Sequence, residues 1–148
     1  MNPILALMVG VSGSGKSTYA NGLKTSINAT IVEPDAIRLE LTGNASDQSQ
    51  NDKVFSLAFK RSSDLLAQGK NVVVDATSVD KWSRSKWIDL GKKNNAEIRA
   101  YVIKTPLELA KKRNLGRDRV VPDNVIDKQN SRLQMPTQDE GFDKIVIV

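Results

Sequence analysis

The sequence predicts an α/β fold in which a parallel sheet carries helices on both faces. Short apolar runs alternate with segments of helical periodicity along the chain, which is the pattern of consecutive βαβ units. The first apolar run, residues 4–9, leads directly into a glycine-rich loop and then a helical segment. The 148 residues contain no repeat and no linker, so we expect a single domain over residues 1–148.

The individual elements follow from apolar periodicity and from the positions of Gly and Pro. Residues 42–51, rich in Asn, Ser and Gln, are expected to form a mobile loop, and Gly69 is expected to stop a helix. Five runs predict strands, at residues 4–9, 29–32, 72–74, 98–103 and 144–148. Helical spacing predicts helices after Lys16 and at residues 35–41, 52–68, 80–94, 106–114 and 122–135.

The glycine-rich loop, residues 10–17, reads Gly-Val-Ser-Gly-Ser-Gly-Lys-Ser and matches the phosphate-binding pattern G-x-x-x-x-G-K-[ST]. Positive φ angles, expected at Gly10, Gly13 and Gly15, would turn backbone N–H groups onto a phosphate. Lys16 would contribute a cation, and the Ser17 hydroxyl would ligate Mg²⁺. We therefore expect ATP or GTP, with Mg²⁺, to bind through Gly13, Ser14, Gly15, Lys16, Ser17 and Thr18.

Composition excludes several chemistries. The chain has no Cys and no His, which excludes disulfides, thiolate nucleophiles and a His-based triad. Any general base must therefore be a carboxylate or a lysine. The net charge of +5 favours an anionic partner such as nucleic acid or phosphate, although a charge of this size is weak support. The apolar runs are too short to cross a membrane, and an intracellular, cytoplasmic location is expected.

Two aspartates follow predicted strands and should lie at the same sheet edge as Lys16. Asp35 is either a helix N-cap or a general base that accepts the proton of a substrate hydroxyl. Arg38, one helical turn later, either forms a surface ion pair with Asp35 or holds an anionic part of the acceptor. For Asp75 we favour a role in binding Mg²⁺ or orienting the lysine over a turn cap.

Residues 111–119 contain five cations among nine residues. Such a segment forms either a solvated helix end or a lid that closes over a phosphoryl group, and the phosphate-binding loop favours a lid with Gly116 as hinge. In the helix at residues 80–94, Trp87 is expected in the core, whereas the environment of Trp82 stays open. Three cations of this helix would form either a basic face toward nucleic acid or a solvated face: Lys81, Arg84 and Lys86.

Several of these motifs together resemble the P-loop polynucleotide 5′-hydroxyl kinases, a family with members in phages and in eukaryotic DNA repair. The resemblance extends from Ile4 to Val148. Beside the P-loop, it rests on Asp35-Ala-Ile-Arg38, Asp75-Ala-Thr77-Ser, Arg113-Asn-Leu-Gly-Arg117 with Val121-Pro122, and Pro136 with Glu140-Gly-Phe142. The late Glu-Gly-Phe and the two arginine motifs are more specific than the P-loop, which a large superfamily shares.

The resemblance implies a role for each matching residue. Lys16, Asp35 and Arg117 would be catalytic, with Asp35 as the base for the 5′-hydroxyl. Arg38 would contact the phosphate next to the accepting nucleoside. The remaining roles implied are acceptor binding by Asp75 and Thr77, Mg²⁺ binding by Ser17 and Asp75, and nucleotide binding by the lid arginines Arg113 and Arg117, with the lid at about residues 114–121.

One departure from the family concerns Glu33 and Pro34, which stand where the family usually has Asn and Arg, and this change could alter the acceptor pocket. The Asp-x-Asp-x-Thr motif of a phosphatase is absent, so 3′-phosphatase activity is not expected from this chain.

We therefore predict an ATP-dependent kinase for the 5′-hydroxyl of DNA or RNA, with a nucleic acid end as partner and no membrane. A stand-alone kinase of this size would suit a phage. One alternative is a kinase of a small alcohol, a nucleoside or an antibiotic hydroxyl. The other is a nucleotide-dependent switch or toxin-like module. The choice between DNA and RNA and the formation of a homo-oligomer are left open by the sequence.

Overall fold

In the computed structural model, which describes residues 2–148, five strands form one sheet. The strand order is β2-β3-β1-β4-β5, and every neighbouring pair is parallel. The predicted α/β class with a parallel sheet is therefore confirmed. The strands are β1 (Ile4–Val9), β2 (Ala29–Val32), β3 (Asn71–Val74), β4 (Glu97–Val102) and β5 (Lys144–Ile147).

Six α-helices and one short 3₁₀ helix connect these strands in the described part of the chain. Most boundaries lie within a residue or two of the predicted ones. The helices are α1 (Lys16–Ser26), α2 (Pro34–Thr42), α3 (Asn51–Ala67), α4 (Lys81–Lys93), α5 (Leu107–Leu115), α6 (Asp123–Ser131) and the 3₁₀ helix Gln138–Glu140.

The last predicted helix, residues 122–135, is too long, because α6 ends at Ser131. Beyond it the chain turns toward β3, and the backbone N–H of Gln134 donates to the carbonyl of Val79 (2.8 Å). This contact between segments far apart in sequence competes with continuation of the helix. The 3₁₀ helix that follows was not predicted from the apolar pattern.

Both faces of the sheet are covered, as predicted. Strand residues alternate between faces, so Leu5 and Leu7 of β1 pack against α3 and α4, whereas Ala6 and Met8 pack against α1. All four side chains are completely buried. Because β1 occupies the centre of the sheet, the loop after it emerges between the two helical layers, where parallel sheets bind ligands.

None of the helices within residues 2–148 has the length and apolarity that a membrane-spanning segment requires.

Candidate functional site

The loop between β1 and α1 has the backbone that phosphate binding requires. Gly13 and Gly15 have φ angles of 81° and 101°, in the left-handed region. A Cβ on Gly13 would also lie only 2.2 Å from the carbonyl oxygen of Ala110. The positive φ predicted for Gly10 is wrong, because Gly10 is not among the positive-φ glycines. Its lack of a side chain instead provides space, since a Cβ there would meet Ser14 Oγ at 2.8 Å.

Lys16 is buried at the start of α1, and its Nζ donates to the carbonyl of Val11 (3.0 Å). Burial lowers the pKa of Lys16 to about 8, an effect that the nearby carboxylate of Asp75 partly offsets. No carboxylate lies within ion-pair distance of this ammonium among the described residues. The site therefore holds a desolvated cation that an anionic ligand would stabilise.

Ser17 and Asp75 meet at the carboxyl end of the sheet, where the Ser17 hydroxyl donates to Asp75 Oδ2 (2.7 Å). Both are oxygen donors of the kind that Mg²⁺ prefers. Within residues 2–148 no cluster of three or more His, Cys, Asp or Glu side chains could hold a metal by itself. This donor set fits Mg²⁺ bound mainly by substrate phosphates and water, with two protein oxygens nearby.

Asp35 lies in the first turn of α2 and is not the N-cap, a position that Glu33 occupies. Each carboxylate oxygen accepts from a different arginine: Oδ1 from Arg38 of the same helix, and Oδ2 from Arg119 (2.7 Å). Arg38 is 4% exposed, so a surface ion pair does not describe it. It also donates to Asn51 Oδ1 at the start of α3 (3.0 Å), which anchors the guanidinium under Asp35.

Two site residues were missed by sequence reasoning. Arg119 was counted within the basic segment but not assigned to Asp35, since their contact spans 84 positions. Glu33 was noted only as a departure from the family, yet it lines the cavity of about 310 Å³ that Lys16, Asp35 and Asp75 also line. Burial, with Asp75 and Asp35 nearby, raises the pKa of Glu33. The sequence signal that could have identified Glu33 was its position at the end of a predicted strand, in the run Glu-Pro-Asp.

The basic segment spans the last turns of α5, which ends at Leu115, and the start of the loop that connects α5 to α6. This loop is fixed at its base. The buried Asn114 makes two hydrogen bonds to Val121: its Nδ2 donates to the carbonyl (2.6 Å) and its Oδ1 accepts from the N–H (3.0 Å). Arg113 and Arg117 from this segment line the same cavity of about 310 Å³. The opposite end of the segment is anchored by Lys111, which pairs with Asp127 of α6 (2.7 Å).

For Arg84, the structure corrects both alternatives expected for α4, a basic face toward nucleic acid and a solvated face. Its side chain is completely buried and pairs with Glu140 (2.9 Å). The same guanidinium donates to the carbonyls of Ser78 and Val79 (2.9 Å each), in the loop that follows Asp75. Arg84 therefore supports the site loop from beneath and does not face nucleic acid. Trp87 is buried as predicted, whereas Trp82 is 71% exposed.

A cavity of about 310 Å³ brings most of the predicted site residues together. A second cavity of about 790 Å³ continues from it past α1, and the two share Gly15, Thr18 and Arg113. Arg38 lies outside the smaller cavity, behind Asp35, and Ser14 lines the second cavity. The predicted residues lining the smaller cavity are Gly13, Gly15, Lys16, Ser17, Thr18, Asp35, Asp75, Thr77, Arg113 and Arg117.

Comparison with known proteins agrees with this geometry. A family model described as an AAA domain matches residues 5–136, so the chain belongs to this P-loop family. The chain is 27% identical over 146 residues to the bifunctional polynucleotide phosphatase/kinase of Schizosaccharomyces pombe, covering 95% of this chain and 32% of the relative. The chain thus spans about a third of the length of this curated relative.

Solved structures of similar fold include kinases. One is the structure of the Pnkp1/Rnl/Hen1 RNA repair complex, with a TM-score of 0.81 and 28% identity over 90% of this chain and 44% of the other. A gluconokinase from Sinorhizobium meliloti 1021 has a TM-score of 0.67 and 21% identity, over 99% and 82% of the two chains, and supports the fold alone. The predicted P-loop kinase fold and the resemblance to polynucleotide kinases are confirmed.

Proposed function

We propose that this chain transfers the γ-phosphate of ATP to the 5′-hydroxyl of a polynucleotide. The observation that carries the proposal is the cavity of about 310 Å³ in which Asp35 faces the same space as Lys16 and Arg117. A carboxylate and two phosphate-binding cations around one small volume suit phosphoryl transfer to a hydroxyl. The polynucleotide kinase name of the S. pombe relative supports the choice of acceptor.

The donor nucleotide would occupy both cavities. Its phosphates would lie on the N–H groups of residues 13–18 at the start of α1, where the helix dipole favours negative charge. The larger cavity, bordered by Tyr19, Ile103 and Thr105, would take the nucleoside. Lys16 would exchange the Val11 carbonyl for phosphate oxygens. Bound Mg²⁺, near Ser17 and Asp75, would supply additional positive charge at the phosphates.

Asp35 would act on the acceptor as general base. Its side chain is 42% exposed toward the cavity, with one oxygen held by the buried Arg38 and the other by Arg119 of the lid. Arg38 orients the carboxylate, and release of Arg119 would free Oδ2 to accept the proton of the 5′-hydroxyl. Arg117 would neutralise charge that develops on the transferring phosphoryl group.

Arg38 would also contact the phosphate on the 3′ side of the accepting nucleoside. Its guanidinium is anchored by Asp35, Asn51 and the carbonyl of Ala45, which leaves one N–H of Nη2 available to a phosphate. This role separates a nucleotide or polynucleotide acceptor from a simple alcohol, because only the former carries an anion beside the accepting sugar.

The test is transfer of labelled γ-phosphate from ATP, with Mg²⁺, to a short 5′-hydroxyl oligonucleotide, a nucleoside 3′-monophosphate and a free nucleoside. We expect labelled oligonucleotide and 3′-monophosphate, with the nucleoside a much poorer acceptor. Arg38→Ala should reduce this preference for the 3′-phosphate, whereas Arg61→Ala, an exposed arginine of α3, should not. Label only on a small alcohol from a metabolite screen would contradict the proposal.

A further inference from the structure

A third cavity, of about 490 Å³, lies between the N-terminal parts of α3 and α4 and borders the smaller cavity of about 310 Å³. The two cavities share Ala76 and Thr77 of the loop after β3. We call this third cavity the aromatic groove, because Phe55, Phe59, Trp82 and Trp87 line it. A molecule that reaches from Asp35 past Thr77 would enter the groove directly.

Trp82 is the exposed wall of the aromatic groove. Its side chain is 71% exposed, which is unusual for the largest apolar residue in a protein of this size. Lys86, one turn later on α4, places its Nζ 4.4 Å from the centre of the Trp82 ring. A cation–π contact of this kind orients the indole, and it adds positive charge to the rim of the groove.

The floor of the groove is rigid and apolar. Phe59 packs edge-on against the buried Trp87, with ring centroids 4.5 Å apart, and Phe55 lies 6.3 Å from Phe59. Phe59 and Trp87 belong to the core beneath the groove, whereas the half-buried Phe55 and the exposed Trp82 lie outside it. Core packing therefore explains two of the aromatic residues and leaves the largely exposed Trp82 unexplained.

The groove also begins beside Arg38. Asn51, which accepts from Arg38 Nε and Nη2 (3.2 and 3.0 Å), is one of the residues that line the groove. From Asp35 the order is thus the buried Arg38 with Asn51 beside it, and then Trp82 with Lys86 at the exposed wall of the groove. In a nucleotide chain the corresponding order is the 5′-hydroxyl, the adjacent phosphate and the following nucleoside.

From this order we infer that the aromatic groove binds a nucleobase of the acceptor strand, stacked on Trp82, with Lys86 near its phosphate. The inference rests on the proposed polynucleotide acceptor and names a subsite for it. Indole–base stacking is tolerant of base identity, and the groove should therefore bind any of the bases. A small alcohol or a free sugar would not reach it from Asp35.

The experiment compares acceptor KM for Trp82→Ala, Trp82→Phe and wild type, using 5′-hydroxyl oligonucleotides that are intact or abasic at one of the first four nucleotides. In wild type, one abasic position should raise the KM about tenfold. Trp82→Ala should show the same rise with the intact strand and lose its sensitivity to that abasic position. Trp82→Phe should recover most of the affinity, and kcat should change little throughout.

Matched control variants distinguish loss of binding in the groove from the general effect of removing a surface charge or an exposed apolar side chain. Lys93→Ala removes an exposed cation of the same helix outside the groove, and Val125→Ala removes an exposed apolar side chain of α6; both should keep the wild-type KM. Lys86→Ala should raise the KM severalfold, and this effect should decrease at high salt. Quenching of Trp82 fluorescence by the oligonucleotide, absent in Trp82→Phe, gives a readout independent of activity.

The failures of the two proposals are distinguishable. If wild type phosphorylates the oligonucleotide but Trp82→Ala keeps both the wild-type KM and the abasic sensitivity, the groove is not the base subsite and the polynucleotide kinase proposal stands. If wild type phosphorylates no oligonucleotide, and the oligonucleotide does not quench Trp82, both proposals are overturned.

Discussion

Two arginine–carboxylate clusters in this protein have similar N–O distances but differ in how deeply they are buried. Arg84 and Glu140 are 0% and 9% exposed at the side chain, and the pair is further anchored to the carbonyls of Ser78 and Val79. Asp35 is 42% exposed and is held by the buried Arg38 on one side and by Arg119, 31% exposed, on the other. The first cluster is enclosed on all sides, and the second opens into a cavity.

The two clusters differ in how readily a ligand can replace one of the paired charges. Desolvated charges such as those of Arg84 and Glu140 cannot separate without leaving an unpaired charge inside the protein, so this pair holds the loop after Asp75 in one position. The contact between Asp35 and Arg119 is partly solvated and costs little to break. The enclosed pair of Arg84 and Glu140 thus keeps the site loop in position. The partly solvated contact of Arg119 leaves Asp35 able to accept a substrate.

The largest expected effect is on catalysis by Asp35→Asn. Removing the base should lower kcat by about 10²–10⁴-fold, while the free energy of unfolding falls by about 1–3 kcal/mol, because Asn still accepts a hydrogen bond from the buried Arg38 but no longer neutralises its charge. Initial rates of phosphate transfer and urea unfolding measure the two quantities. A kcat near that of wild type would remove Asp35 from the role of base.

Arg84→Met should have the next largest effect, on stability. It leaves Glu140 without its partner in a buried position, so the free energy of unfolding should fall by about 3–5 kcal/mol. The matched control is Arg61→Met, which breaks the exposed pair with Glu40 (2.8 Å) and should cost less than about 1 kcal/mol. Equal losses for the two variants in urea unfolding would refute the contrast between enclosed and open pairs.

Lys16 carries a buried charge that forms no ion pair with a carboxylate among the described residues, and its effect on the free energy of unfolding should depend on pH. Its pKa is lowered from 10.5 to about 8 by burial, so the folded protein releases this proton at lower pH than the unfolded chain. Where the unfolded state binds more protons, stability rises with pH. Relative to Lys16→Met, wild type without nucleotide should therefore gain about 1–2 kcal/mol between about pH 8 and about pH 9.5.

The measurement for Lys16 is chemical denaturation of both proteins at several pH values. A stability difference that does not vary with pH over this window would show that the ammonium is better solvated than its position implies. In the same range, affinity for ATP should decrease as pH rises in wild type, because the neutral amine no longer attracts phosphate, and Lys16→Met should lack this decrease.

The smallest effect is expected for Arg119→Ala. Because its contact with Asp35 is partly exposed, the free energy of unfolding should change by less than about 1 kcal/mol. Thermal unfolding at low and high salt measures this, with Lys93→Ala as a control for loss of one surface charge. A loss of more than about 2 kcal/mol would place Arg119 with Arg84, as a residue that the fold needs for stability.

Much of this molecule could be predicted because its signals are local. The run at residues 4–9 and the pattern from Gly10 to Ser17 needed only neighbouring residues to indicate a buried strand and a phosphate-binding loop. The aspartates after β2 and β3 could be assigned to one edge because parallel strands end on the same side. The early end of α6 was not predictable, since it follows the contact of Gln134 with Val79 across the fold.

Arg84 shows why charge patterns alone are insufficient. From the sequence it stands among Lys81 and Lys86 on an apparently basic helix, but the fold turns it inward to meet Glu140, 56 positions away. Asn114, an ordinary polar residue in the sequence, closes the loop between α5 and α6 through two buried hydrogen bonds. In both cases the partner is chosen by packing, which a local pattern does not contain.

Periodicity and glycine spacing act over a few residues, and they were enough to predict the α/β class, the order of the elements and the loop that would hold a nucleoside triphosphate. Packing across the whole fold was needed to bring Arg119 to Asp35, to enclose Arg84 and to leave Trp82 exposed beside the aromatic groove. These features depend on which surfaces the packed sheet and helices bury. Burial sets both the strength of each ion pair and how readily a ligand can replace one of its partners.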